Sequence, residues 1–249
     1  MTCHSLSLGA LLGCLSFLQS GCTGMSAAAG TERRTEMYTS GGQRIKVETF
    51  APVTSDRFPA VLVLHGSAGT LLGKGQLVDL CEKLVAEGKV AMLVHYFDRT
   101  GTHWTNDDMI HQQWPAWVAA VKDGVDFAMS HPRVRSDAIG LFGYSLGAYV
   151  AVSESAGDRR VKAVVELAGG LFDAQKDSLE HLPPLLILHG RDDQRVRVAR
   201  ALELERLARR LGRSPKIKIY DGEGHVFSAT ATADATVMAL AFFREHLST

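Results

Sequence analysis

The sequence predicts an α/β protein built on an open, mostly parallel sheet with helices on both faces. Three observations carry this. From residue 44 onward, short β-branched runs alternate with longer amphipathic stretches. Two of the runs, Ala60–Leu64 and Leu185–Leu188, are apolar at every position, as expected of strands buried on both faces of a parallel sheet. The 249 residues are 46% hydrophobic, enough for one large core without a disulfide or metal staple. The 27 Lys+Arg balance 27 Asp+Glu, so the chain lacks the basic excess that marks a nucleic-acid partner.

Strands are expected at Arg44–Phe50, Ala60–Leu64, Val90–His95, Ala138–Phe142, Val161–Leu167, Leu185–Leu188 and Lys216–Tyr220. Helical periods occupy Lys74–Glu87, Asp108–Ser130, Leu146–Ser155, Val196–Leu211 and Ala233–Leu247. Right-handed crossovers follow from that order. No Pro/Gly/Ser linker divides the body, so residues 30–249 read as one domain. Asp98–Asn106 reads as a loop, and Ala168–Pro184 is too short to hold a lid domain.

Residues 1–29 form a different kind of segment. The apolar run Leu6–Leu18 precedes small residues, the pattern of a secretory leader, although no Lys or Arg stands ahead of it. Cys14 matches a lipidation box better by residue type and Cys22 better by position. The expected compartment is therefore periplasmic, secreted or lipid-anchored, with membrane contact only through such an anchor. The alternative is a cytoplasmic enzyme with a start codon placed too far upstream. Cys81 is the only cysteine outside this segment, and it falls at an apolar helical position as a buried small hydrophobe.

The segment Ala138–Val152 carries the chemistry. Gly143-Tyr144-Ser145-Leu146-Gly147 is a G-x-S-x-G run between a strand and a helix. A serine on that sharp turn projects its hydroxyl, and the flanking glycines remove side chains that would collide with strand and helix. The helix N-terminus offers free N–H groups, that of Leu146 among them, to a developing oxyanion. A serine hydroxyl is a poor nucleophile without a base and a group to orient that base. His225, just after Gly222 and Gly224 and past the last expected strand, supplies the base. Asp192 and Asp193 follow Leu185–Leu188, and both are candidates for the acid. The chain order serine, acid, histidine suits this architecture. Spacings of 48 residues from Ser145 to Asp193 and 32 from Asp193 to His225 place the three groups at separate strand ends.

With these motifs the chain resembles the dienelactone hydrolase family of the α/β-hydrolase superfamily, from Phe58 to the C-terminus. Gly190, Asp193 and Val196 match its G-x-x-D-x-x-V pattern, which selects Asp193 as the acid. Further matches are His65-Gly66, Val90–Asp98, the nucleophile turn and Ala241-Phe242-Phe243. The resemblance implies an α/β-hydrolase fold without a large lid, no cofactor, and a small-molecule ester or lactone as substrate. It also implies that the Ser67 N–H completes the oxyanion hole with that of Leu146, Ala68 being the neighbouring option. His65 and His189 are expected to hold their loops. Two departures stand out: dienelactone hydrolases carry cysteine where this chain has Ser145, and an acidic residue where it has Gly66. A serine ester hydrolase of the wider family is the expectation. Acyltransferases and peptidases use the same triad, and a non-catalytic ligand-binding module would keep the same fold.

Other features point elsewhere and fail. Gly73-Lys74 lacks the preceding glycine and following Ser or Thr of a phosphate loop. His95, His103 and His111 lack metal-ligand spacing, so no metal is expected. Trp114 and Trp117, three apart on a helix, read as core. Tyr96, Phe97 and Arg99, after a strand, are expected at the substrate pocket.

Overall fold

A computed structural model describes residues 30–177 and 179–247. The leader reading, with Cys14 and Cys22, lies outside the described residues. Eight strands form one sheet in the order β1-β2-β4-β3-β5-β6-β7-β8. They are β1 (Thr31–Ser40), β2 (Gln43–Pro52), β3 (Phe58–Leu64), β4 (Val90–Val94), β5 (Val134–Tyr144), β6 (Val161–Leu167), β7 (Leu185–Gly190) and β8 (Lys216–Tyr220). The pairs from β4 through β8 are parallel; β1 with β2 and β2 with β4 are antiparallel.

Strand β1 was not expected from sequence. Its segment TERRTEMYTS is mostly exposed and polar, so no apolar run announces it. The usable signal is Gly41-Gly42. Both residues have positive φ (49° and 80°) and close a two-residue hairpin between Ser40 and Gln43.

The period of two in each strand divides the core. Ala60, Leu62 and Leu64 of β3 face one layer, and Val61 and Val63 face the other. In β7, Leu185 and Ile187 part from Leu186 and Leu188 in the same way. The first layer is covered by α2 (Asp107–Ser130), α3 (Leu146–Gly157) and α4 (Ala199–Arg210). The second is covered by α1 (Lys74–Ala86) and α5 (Ala229–Leu247). Asn106 caps α2, its side chain accepting from Met109 N at 3.1 Å. Trp114, Trp117 and Cys81 are buried, as expected. Between β6 and β7 the described residues form a short segment with a 3₁₀ turn at Asp173–Gln175. Leu171 and Leu182 anchor it in the core, and Phe172 stacks on Trp114 with ring centroids 4.3 Å apart.

Candidate active site

Three strand ends converge. β5 ends in the turn carrying Ser145, whose backbone sits at φ 54°, ψ −120°, a region that L-residues occupy only when the surroundings impose it. The turn is held by Ser145 N donating to Leu167 O at 2.9 Å at the end of β6. Both glycines of the motif are required. A Cβ on Gly143 would lie 2.3 Å from Gly147 O, and one on Gly147 would lie 2.5 Å from His65 O and Leu64 O.

After β7, Asp193 is fully buried. Its Oδ1 accepts from Arg195 N and Val196 N, both at 2.8 Å, leaving Oδ2 for His225. His225, on the loop after β8, donates from Nδ1 to Asp193 Oδ2 at 2.8 Å. In the neutral tautomer with that donor, Nε2 is the acceptor for the Ser145 hydroxyl, with Oγ at 2.9 Å. The loops after β7 and β8 are bound to each other by Arg191 N to Tyr220 O and Asp192 N to Glu223 O, each 2.9 Å. A Cβ on Gly190 would meet Glu223 O at 2.4 Å, so the glycine permits that approach. The Asp192 side chain is exposed, whereas Asp193 faces the imidazole.

The N–H groups of Ser67 and Leu146 form no backbone hydrogen bond with a described residue. The turn that holds Ser67 packs on Ser145: a Cβ on Gly66 would lie 3.3 Å from Ser145 Cβ. Ser67 O accepts from Thr105 N at 2.8 Å, which fixes the orientation of that turn. His65 is structural, as expected. Burial pushes its pKa down to about 4, so the ring is neutral, and its Nδ1 donates to Gly66 O at 2.9 Å. His189 donates from Nε2 to Val196 O at 2.7 Å and steadies the Asp193 loop.

Tyr96, Phe97 and Arg99 do not line the site, contrary to expectation. Tyr96 and Phe97 are buried, pack around the His65 ring and stack towards Trp117. The Tyr96 hydroxyl donates to His65 O at 2.8 Å. They brace the loop because the chain enters a 3₁₀ turn at Tyr96–Thr100, one residue past β4, in which both rings are buried.

Two residues escaped the sequence reading. Tyr144 donates its hydroxyl to His225 O at 3.1 Å, tying the Ser145 turn to the histidine loop; its place in the motif was the available signal. Glu166 is fully buried at the end of β6. Its Oε2 accepts from Gly169 N at 2.8 Å, and burial pushes its pKa up to about 8, so the carboxyl is protonated below that pH. It braces the turn under Ser145, where a Cβ on Gly169 would stand 3.1 Å from Ser145 O.

Ser145 lies between two concave regions. One is a cleft of about 430 Å³ edged by Tyr149, Phe172 and the arginines at 195, 197 and 200. The other is a groove of about 340 Å³ walled by Leu77, Leu80, Phe142, Val226 and Phe227, which His225 also lines.

The parallel sheet with helices on both faces and a serine turn at its rim defines an α/β-hydrolase. The sequence model of the dienelactone hydrolase family matches residues 45–244, and the chain belongs to that family. Among curated proteins it is similar to the bile acid-CoA:amino acid N-acyltransferase of Mus musculus. The identity is 25% over 138 residues, covering 55% of this chain and 30% of the relative. It is also similar to the peroxisomal succinyl-coenzyme A thioesterase of Mus musculus, 27% identical over 160 residues, covering 63% of this chain and 34% of the relative. The chain thus spans about a third of the length of these relatives. Among solved structures, a dienelactone hydrolase-like promiscuous phosphotriesterase from metagenomic libraries shares the fold. Its TM-score is 0.75 at 17% identity, covering 88% of this chain and 99% of that one.

Proposed function

We propose that the protein hydrolyses carboxylic esters or lactones through an acyl-enzyme on Ser145. The observation that carries this is the unbroken hydrogen-bond line from Asp193 Oδ2 through the His225 ring to Ser145 Oγ, in links of 2.8 and 2.9 Å. As the Ser145 Oγ bond to the carbonyl carbon forms, the hydroxyl proton moves to His225 Nε2. The oxyanion takes hydrogen bonds from the N–H groups of Ser67 and Leu146. The bond to the leaving oxygen then breaks as Nε2 returns the proton to it. Water repeats the sequence: its proton goes to Nε2 as its oxygen bonds the acyl carbon, then the bond from that carbon to Ser145 Oγ breaks as Nε2 returns the proton to Oγ, which releases the acid and restores the resting enzyme. Asp193 stays ionised throughout and stabilises the imidazolium.

A second reading is transfer of the acyl group to an amine in place of water. It is favoured by the similarity to an N-acyltransferase and a thioesterase, both of which handle acyl groups by their names.

Rapid mixing with p-nitrophenyl esters tests the proposal. The expected result is a burst of one nitrophenolate per protein followed by steady turnover. No burst and no turnover across short-chain, long-chain and lactone substrates would contradict it. Faster turnover in the presence of glycine, with an N-acyl product, would move the assignment to transfer.

A further inference from the structure

The two regions beside Ser145 differ in charge, and the position of His225 assigns a half of the substrate to each. The groove holds no Asp, Glu, Lys or Arg among its lining residues; leucine, phenylalanine, valine and alanine side chains dominate its walls, with Gln76, Tyr144, Thr232 and Thr236 as neutral polar members. The cleft is lined by three arginines and two aspartates. Arg195 is spent on Asp107 at 2.9 Å. Arg200 is spent on Asp173, its Nη2 standing 3.1 Å from Oδ2. Arg197 forms no ion pair or side-chain hydrogen bond with a described residue, so its charge is the uncompensated one in the cleft.

The backbone of Arg197 is nevertheless fixed. It follows Val196, which hydrogen-bonds both Asp193 and His189, and its carbonyl accepts from Arg200 N at 2.9 Å. A guanidinium on a pinned backbone, in the same cavity as the nucleophile, is arranged for a carboxylate.

Orientation follows from the proton. His225 Nε2 must reach the leaving oxygen, and His225 lines the groove but not the cleft. The leaving alcohol therefore occupies the uncharged groove, and the acyl substituent, on the other side of the carbonyl, enters the cleft.

We infer that the preferred substrates are half-esters of short dicarboxylic acids with an apolar alcohol, the free carboxylate of the acyl half pairing with Arg197. This rests on the Ser145 hydrolase reading and names its substrate class.

Three esters measured on the full chain test it: benzyl hemisuccinate, benzyl butyrate, and the butyrate ester of para-(hydroxymethyl)benzoate, which moves the charge to the alcohol. The expected kcat/KM for the hemisuccinate exceeds that for benzyl butyrate by about tenfold, the scale of a charge-assisted contact. Arg197→Gln brings that ratio towards one, Arg197→Lys keeps part of it, and the benzoate gains nothing. A wild-type ratio near one, a ratio unchanged in Arg197→Gln, or an Arg197-dependent gain for the benzoate overturns the inference. Turnover that depends on Ser145 but shows no such ratio removes only the charge assignment. Turnover that survives Ser145→Ala, or none on any of the three, removes the hydrolase reading and this inference with it.

Discussion

Two imidazole–carboxylate pairs sit at the sheet's strand ends, with nearly equal hydrogen bonds and different surroundings. His225 meets Asp193 at 2.8 Å, and His95 meets Glu48 at 2.9 Å. His95 follows β4, directly after a buried strand, as a catalytic residue of such a sheet would. Its Nε2, however, is taken up by Glu48, and among the described residues no serine or cysteine side chain bonds the ring. Lys74 stands 2.6 Å from Glu48 and Arg33 also bonds it. Burial alone would raise the Glu48 pKa, but hydrogen bonds from Lys74, Arg33 and His95 hold it at about 2. That pair fastens β1 and the start of α1 to β2. The Asp193–His225 pair instead keeps Nε2 free for Ser145, with the ring partly open to solvent. An imidazole beside a carboxylate becomes a base only when its second nitrogen has a proton donor to work on.

This contrast can be broken by mutation. The largest effect is expected at the nucleophile: Ser145→Ala lowers kcat on a p-nitrophenyl ester by about 10⁵–10⁶-fold with the melting temperature little changed. Asp193→Asn follows at about 10⁴-fold, because the imidazole loses its orienting acceptor. If Asp192→Asn were the damaging change instead, the choice of acid would be wrong.

At the other pair the outcome reverses. Glu48→Gln is expected to cost about 3 kcal/mol of stability, since three cationic or polar partners lose their anion, while kcat on the folded protein stays near wild type. With its folded pKa depressed below the unfolded value of 4.5, Glu48 contributes stability at neutral pH that is lost as pH falls from there towards 2. Chemical denaturation at neutral and acidic pH reads this: the wild type and Glu48→Gln should converge in acid.

Smaller effects probe the supports. Tyr144→Phe removes one hydrogen bond to the histidine loop, worth about 1 kcal/mol, and a several-fold fall in kcat is expected. Glu166 titrates in the opposite sense to Glu48. Its folded pKa is raised from 4.5 to about 8, so its contribution is full in acid and is lost as pH rises through that value. Between about pH 5 and pH 9 the melting temperature of Glu166→Gln should therefore fall less than that of the wild type.

The grouping of Ser145, Asp193 and His225 was legible because each carries a local signature at a strand end: the glycine-flanked Ser145, Asp193 three residues after Gly190, and His225 directly after Gly224. The buried strands were legible because Ala60–Leu64 and Leu185–Leu188 face core on both sides. Strand β1 was not, because an edge strand with charged, solvated residues has no apolar period to read. The lining of the concave regions beside Ser145 was least legible. The cleft gathers side chains from segments as distant as Asp107, Phe172 and Arg197, and only tertiary packing decides which strand-end residues face it. Tyr96 and Phe97 illustrate this, since residue type suggested a pocket and the 3₁₀ turn after β4 took them into the core.

Labelling with a fluorophosphonate, followed by peptide mass mapping, tests the central claim most directly. A serine whose proton is drawn by an oriented imidazole should be phosphonylated at Ser145 and nowhere else, and the adduct should vanish in His225→Ala. A folded wild-type protein left unmodified, or modified at another residue, would contradict the account.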